Sequence, residues 1–229
     1  ESYMIMEWLE NRTLAAALEA DVRFDHRRAS RVARGIGSAL AAAHAAGIVH
    51  RDLKPENVFL VPREGDPEFV KVLDFGIAKL TTEASVDPSV QTQIGSMMGT
   101  PYYMSPEQFA GIAVDHRADI YAFGVILYRM VTGTLPFRAA SLPALMQAHM
   151  TAPPRPPREL DPSLPPSAEA AILRALEKDP ARRFPDVGSL VEAFASGAGT
   201  TLPFGARGET RPMTLPAAPS GAIATPPPM

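Results

Sequence analysis

His50-Arg51-Asp52-Leu53-Lys54-Pro55-Glu56-Asn57 sets a carboxylate, an ammonium and a carboxamide at short fixed offsets along one loop. Such a trio can accept a proton, stabilise developing negative charge and offer a hard oxygen ligand to a cation. Immediately downstream, residues 58–61 form an apolar, β-rich run, residues 62–67 are rich in turn formers, and residues 69–73 form a second run. The pattern predicts an antiparallel hairpin. The residue before the first strand and the residue after the second then lie at the same end, so Asn57 and Asp74 converge. One carboxylate and one amide oxygen suit magnesium, which favours oxygen ligands and retains several waters. Taken singly, each has a plain structural role open to it, Asp74 starting a turn and Asn57 closing a strand end.

The stretch resembles the catalytic loop of the eukaryotic-type (Hanks-type) protein kinases, and two further motifs follow in that family's order. These are Asp74-Phe75-Gly76 and Ser105-Pro106-Glu107. The resemblance runs from Glu1 to about Ala195. It implies an α+β, protein-kinase-like fold, mainly the helical C-terminal lobe with the end of the small-lobe sheet and the hinge. In its terms Asp52 takes up the acceptor hydroxyl's proton, Lys54 meets the charge of the transferring phosphoryl group, and Asn57 and Asp74 hold Mg2+ or Mn2+. Lysine at position 54 marks the serine/threonine branch. Thr100, in Gly99-Thr100-Pro101, matches the threonine that lies under the acceptor and bonds the catalytic aspartate and lysine. The bacterial-looking Ala, Arg and Pro bias goes with a kinase of that origin.

The same resemblance implies an ATP site. Residues 3–9 look like the last small-lobe strand running into the hinge, with Met6 as gatekeeper and the Glu7 carbonyl and Leu9 amide on the adenine edge. Phe59 packs beneath the ring, and Lys54, Glu56, Asn57 and Asp74 stand on the phosphate side. Read plainly, residues 3–9 are a buried strand and Phe59 a core residue. No glycine-rich phosphate loop precedes Asp52, and the first residue is not methionine, so the chain reads as a partial kinase domain. Residues 1–10 supply the strand and hinge, and 11–195 the C-lobe.

Between Asp74 and Glu107 the family places its switch. Arg51 resembles the arginine that receives an activation-loop phosphate. Thr92 is the first-choice phosphate carrier and Ser96 the second, with Thr81, Thr82, Ser85 and Ser89 behind them. A homodimer is one arrangement open to autophosphorylation between two copies.

The remainder reads as scaffold. Asp25 is placed to cap a helix over residues 28–46, with Val32, Ile36, Leu40 and Ala43 on one face and Gly47 as the stop. Residues 119–131 are apolar on nearly every face, as in a helix buried through a lobe, and Gly133 and Pro136 end it. Within the resemblance, Asp119 bonds the catalytic-loop backbone, and Glu107 pairs with Arg183.

Composition is compatible with one globular core: 229 residues, 46% hydrophobic, net charge -3. No basic patch points to nucleic acid. Cysteine is absent, which excludes disulfide and thiol chemistry and suits a reducing cytosol. No signal peptide or long apolar run is evident, so a cytoplasmic location is expected, with any membrane tether outside these residues. Residues 196–229 are dense in Pro, Gly, Thr and Ala without apolar periodicity, and read as a disordered tail or linker.

The expected activity is therefore transfer of the γ-phosphate of Mg-ATP to serine and threonine hydroxyls of proteins. Two rivals stand beside it. One is a non-catalytic kinase-like binding module, favoured by the missing small lobe. The other is a small-molecule phosphotransferase of the same fold, disfavoured by Lys54, Thr100 and Ser105-Pro106-Glu107.

Overall fold

A computed structural model describes residues 12–75 and 101–196. The hinge residues Met6, Glu7 and Leu9, Gly76, Thr100, the expected phosphate carriers from Thr81 to Ser96 and the tail past Ser196 lie outside the described residues.

The chain enters through a two-residue strand β1 (Arg12–Thr13) and helix α1 (Leu14–Asp21), whose first turn is capped by the Thr13 hydroxyl. Helix α2 (His26–Ala45) follows, with the Asp25 carboxylate accepting from the Arg28 amide at 2.8 Å. It starts two residues earlier than the apolar pattern suggests, because the cap and not the first core residue sets a helix start. Val32, Ile36 and Leu40 on its inner face are fully buried.

Strands β2 (Val58–Arg63) and β3 (Asp66–Val72) form the expected antiparallel hairpin, and β1 adds to β2 to make a three-stranded sheet in the order β1-β2-β3. The strands are longer and the turn shorter than the proline spacing suggests. Pro62 sits where the register slips between Val61 and Arg63, a bulge that does not need its missing N–H. The reversal falls on Glu64-Gly65, with Gly65 at φ +78°. Val58 and Leu60 point into the core, and Phe59 lies partly buried on the opposite face. Arg28 ties α2 to the hairpin, its Nε donating to both oxygens of Glu68 at 3.0 Å.

The second described stretch is helical: α3 (Pro106–Phe109), α4 (Arg117–Thr132), α5 (Leu142–Thr151), α6 (Pro166–Ala175) and α7 (Val187–Ala195). Helix α4 is the axis, buried from Ala118 to Tyr128 without a break. A helix apolar all round must be surrounded, and α2 and α6 pack against it, with α7 bridging those two. It ends where Gly133 takes the left-handed conformation at φ +73° and its amide bonds the Arg129 carbonyl. Among the described residues no helix is long and apolar enough to cross a membrane.

Candidate active site

The loop between α2 and β2 is held by one buried carboxylate. Asp119, in the first turn of α4 and 1% exposed, accepts the His50 amide and the Arg51 amide, one on each oxygen, both at 2.8 Å. His44, near the end of α2, donates its Nε2 hydrogen to Oδ2 at 2.8 Å. Three donors offset the desolvation that would otherwise penalise a carboxylate at this depth. They also hold Arg51 at φ +63°, a left-handed conformation unusual for a side chain of this size.

His50 joins this frame to the hairpin. Its ring is fully buried, and Nε2 lies 3.0 Å from the Leu73 carbonyl, which can only accept. Nε2 therefore carries a hydrogen, and Nδ1 is left to accept the Asp52 amide at 3.4 Å. The Phe75 ring packs on the imidazole, with centroids 4.8 Å apart. The Leu73 amide in turn bonds the Asn57 carbonyl at 2.9 Å, one step beyond the Val58–Val72 pairing. The hairpin thus brings Asn57 opposite Leu73, with Asp74 the next residue on, in a left-handed conformation at φ +57° and with its side chain exposed.

Within the loop Lys54 Nζ lies 2.9 Å from Asp52 Oδ2, and the Asp52 side chain is 41% exposed. Asp52 thus presents a carboxylate to solvent with an ammonium at its flank. Pro55–Asn57 form a single 3-10 turn started by the proline. The Asn57 Nδ2 donates to the Asp52 carbonyl at 3.0 Å, so the amide oxygen is the end not used in holding the loop. An oriented carboxamide oxygen and an exposed carboxylate are the hard donors a magnesium or manganese ion takes when nucleotide phosphates complete its shell, so these residues fit the cation. Phe59 stands one residue into β2 on the partly buried face, and Glu56 is exposed on the turn, where it lines a cleft together with Tyr102 and Tyr103.

Two residues of this frame carry no assignment in the sequence reading. Gln108 is the more accessible of them: its Oε1 accepts from the Ser105 amide at 3.0 Å while its Nε2 donates to the Arg51 carbonyl at 2.7 Å. Ser105-Pro106-Glu107-Gln108 has the S-x-x-Q spacing of a helix capping box, the signal that could have singled it out. His44 has no such signal, since a histidine in an alanine-rich helix reads as surface.

Glu107 and Arg183 form a buried bidentate pair, Nη1 to Oε1 at 2.7 Å and Nη2 to Oε2 at 2.8 Å. The remaining guanidinium hydrogens go to the Arg117, Glu177 and Lys178 carbonyls. A pair 0% and 4% exposed with every donor used is scaffold, tying α3 to the segment before α7.

Comparison with known proteins agrees with this architecture. Residues 1–192 match the family model described as protein kinase domain. The chain is 46% identical over 183 residues to serine/threonine-protein kinase pkn3 of Myxococcus xanthus, covering 79% of this chain and 33% of that protein. It is 45% identical over 210 residues to Pkn1 of the same organism, covering 92% and 29%. It thus spans about a third of the length of the curated relatives it matches. In fold, it superposes on the crystal structure of the Mycobacterium tuberculosis PknI kinase domain with a TM-score of 0.63 at 23% identity, covering 85% of this chain and 64% of that one.

Proposed function

Since this chain belongs to the protein kinase domain family, in its bacterial Hanks-type serine/threonine branch, we propose that the protein carrying it transfers the γ-phosphate of ATP to serine and threonine hydroxyls of other proteins. The observation that carries this is the shared suspension of both halves of the site. Asp119 fixes the His50 and Arg51 amides, and His50 reaches across to Leu73, so Asp52 and Lys54 on one side and Asn57 and Asp74 on the other hang from one frame.

In this reading Asp52 accepts a hydrogen bond from the acceptor hydroxyl and takes its proton as the oxygen bonds to phosphorus. The bond to the ADP oxygen breaks in the same displacement. Lys54, already at the Asp52 carboxylate, stabilises the negative charge spread over the transferring group. Asn57 and Asp74 would hold a divalent cation, which when bound would supply positive charge against the nucleotide phosphates. By family resemblance we assign Met6, Glu7, Leu9 and Phe59 to the adenine side and Thr100 to the acceptor.

The test uses the full-length protein with radiolabelled ATP, magnesium and two acceptor sets, mixed proteins and aminoglycoside-like sugars. Label on protein serine and threonine is expected. Label on the sugars alone makes it a small-molecule phosphotransferase, and nucleotide binding without transfer to either makes it a binding module.

Regulation by activation-loop autophosphorylation, with Thr92 the first candidate, and exchange within a homodimer belong to the same proposal. Mapping phosphates after incubation with Mg-ATP tests the switch, and none between Thr81 and Ser96 removes it. Labelling of an inactive copy by an active one tests exchange between copies. A cytoplasmic setting, with any membrane tether outside these residues, completes the proposal and is checked by fractionating source cells.

A further inference from the structure

Beside the catalytic loop lies a cleft of about 250 Å3, lined in part by Glu56, Tyr102, Tyr103, Arg129, Leu135 and Arg138. Pockets that enclose whole drug-sized ligands run from about 300 to 1,000 Å3, so this one is sized for a side chain. Two arginines and a single glutamate are among its lining residues.

Arg129 stands in the last turn of α4, half-buried, where the helix dipole favours a cation. One of its Nη1 hydrogens is spent on the Tyr103 hydroxyl at 2.7 Å, which fixes the guanidinium plane and leaves its other donors for a partner. The dipole does not account for Arg138, an exposed residue that lines the same cleft from the loop after α4. Among the described residues neither arginine has a carboxylate within ion-pair distance, and Glu56 reaches neither. Burial pushes the Tyr103 phenol up to about 12, so it stays a neutral hydrogen-bonding wall.

Position ties the cleft to catalysis. Glu56 follows Asp52 by four residues, and a fully extended chain of that length reaches at most about 14 Å. The cleft is therefore within about four substrate residues of the carboxylate that takes the acceptor's proton.

We propose that this cleft is a specificity subsite that receives an anionic side chain of the protein substrate, a carboxylate or a phosphate, close in sequence to the phosphorylated serine or threonine. It rests on the kinase function proposed above. A single carboxylate at Glu56 would favour a basic residue, but the two guanidiniums outnumber it, and their planar donor forks match carboxylate and phosphate oxygens two at a time.

The experiment presents the full-length protein with peptides bearing one serine, in which each of the four positions on either side is alanine, glutamate, phosphoserine or arginine. Glutamate or phosphoserine is expected to outperform alanine by about tenfold at one position, the gain of one well-made charge-assisted contact. Arg138→Gln, at an exposed site, and Arg129→Gln, which keeps a donor for Tyr103, are each expected to reduce that preference. The Arg129→Glu, Arg138→Glu double variant is expected to turn it toward arginine. Equal use of all four residues, or a preference for arginine in the unaltered protein, overturns the proposal. A phosphoserine preference well above that for glutamate assigns the subsite to primed substrates, and comparable use assigns it to carboxylates.

Binding of the same peptides is followed in parallel by fluorescence anisotropy. Tighter binding of the acidic peptide, lost in Arg138→Gln, supports the subsite, and equal binding of acidic and alanine peptides overturns it. Failure to phosphorylate any peptide would count against the kinase function, while the binding result would still decide the cleft.

Discussion

Asp119→Asn tests the frame beneath the proposed active site. The carboxylate accepts three hydrogen bonds at 2.8 Å, from two backbone amides and one imidazole. An asparagine offers only one oxygen, and its NH2 group must face a donor. At least one buried N–H is left without a partner, a loss of about 1–3 kcal/mol, and more because the acceptor it loses was charged. Taking about 2 kcal/mol as the local loss, amide protection in the loop falls about 30-fold, since about 1.4 kcal/mol corresponds to tenfold. Release also lets Arg51 leave φ +63°, so the loop has a further reason to open. Hydrogen exchange followed by mass spectrometry on the full-length protein reads this locally, comparing a fragment spanning His50 to Lys54 with one from α7. Faster exchange in the loop with α7 nearly unchanged is expected. Unchanged exchange at His50 and Arg51 would refute the role given to Asp119.

Other consequences are open to direct measurement. Arg183→Ala strands the Glu107 carboxylate at 4% exposure and is expected to lower stability by about 3–5 kcal/mol in urea unfolding; replacing both by well-packed apolar residues should lower it less than that single truncation. His149 is held at about 4 by burial, with Lys178 adding a smaller push in the same direction, and its Nδ1 meets the Tyr121 hydroxyl at 2.9 Å. Its folded value lies below the unfolded 6.5, so the unfolded chain binds the proton first and stability falls as pH drops from about 6.5 toward 4. The loss is about 3 kcal/mol over that window, and His149→Gln should flatten the decline in urea midpoint. An unchanged slope would refute it. Gly35→Ala brings a Cβ to 2.5 Å from Val70 Cβ and is expected to lower stability by about 1–3 kcal/mol as α2 is forced off β3, read as a drop in urea midpoint.

Much of this architecture is legible along the chain, for identifiable reasons. Helix α4 shows because its residues are apolar on every face, and a left-handed stop at Gly133 follows it. The hairpin shows in two β-rich runs, although Pro62 and Pro67 disguise its length: a bulge admits one proline, and an exposed position near the strand end admits the other. The Asp119 contacts and the Glu107–Arg183 pair come from family resemblance. Nothing local to Asp119 announces that it meets amides 69 and 68 residues away. Strand β1 is not legible in the sequence because two residues carry no periodicity, and its pairing with Phe59 and Leu60 exists only once the hairpin has formed. His44 and the arginine cleft are hidden for the same reason, since their meaning lies in partners that folding brings to them.

The central claim is that Asp52 handles the acceptor's proton in phosphoryl transfer. It is tested most directly by comparing the full-length protein with its Asp52→Asn variant for phosphate transfer to protein serine and threonine, with ATP affinity measured on the same samples. Loss of transfer by several orders of magnitude with nucleotide affinity nearly intact is the predicted result. Equal transfer by the two proteins would contradict the assignment of Asp52 and the mechanism built on it.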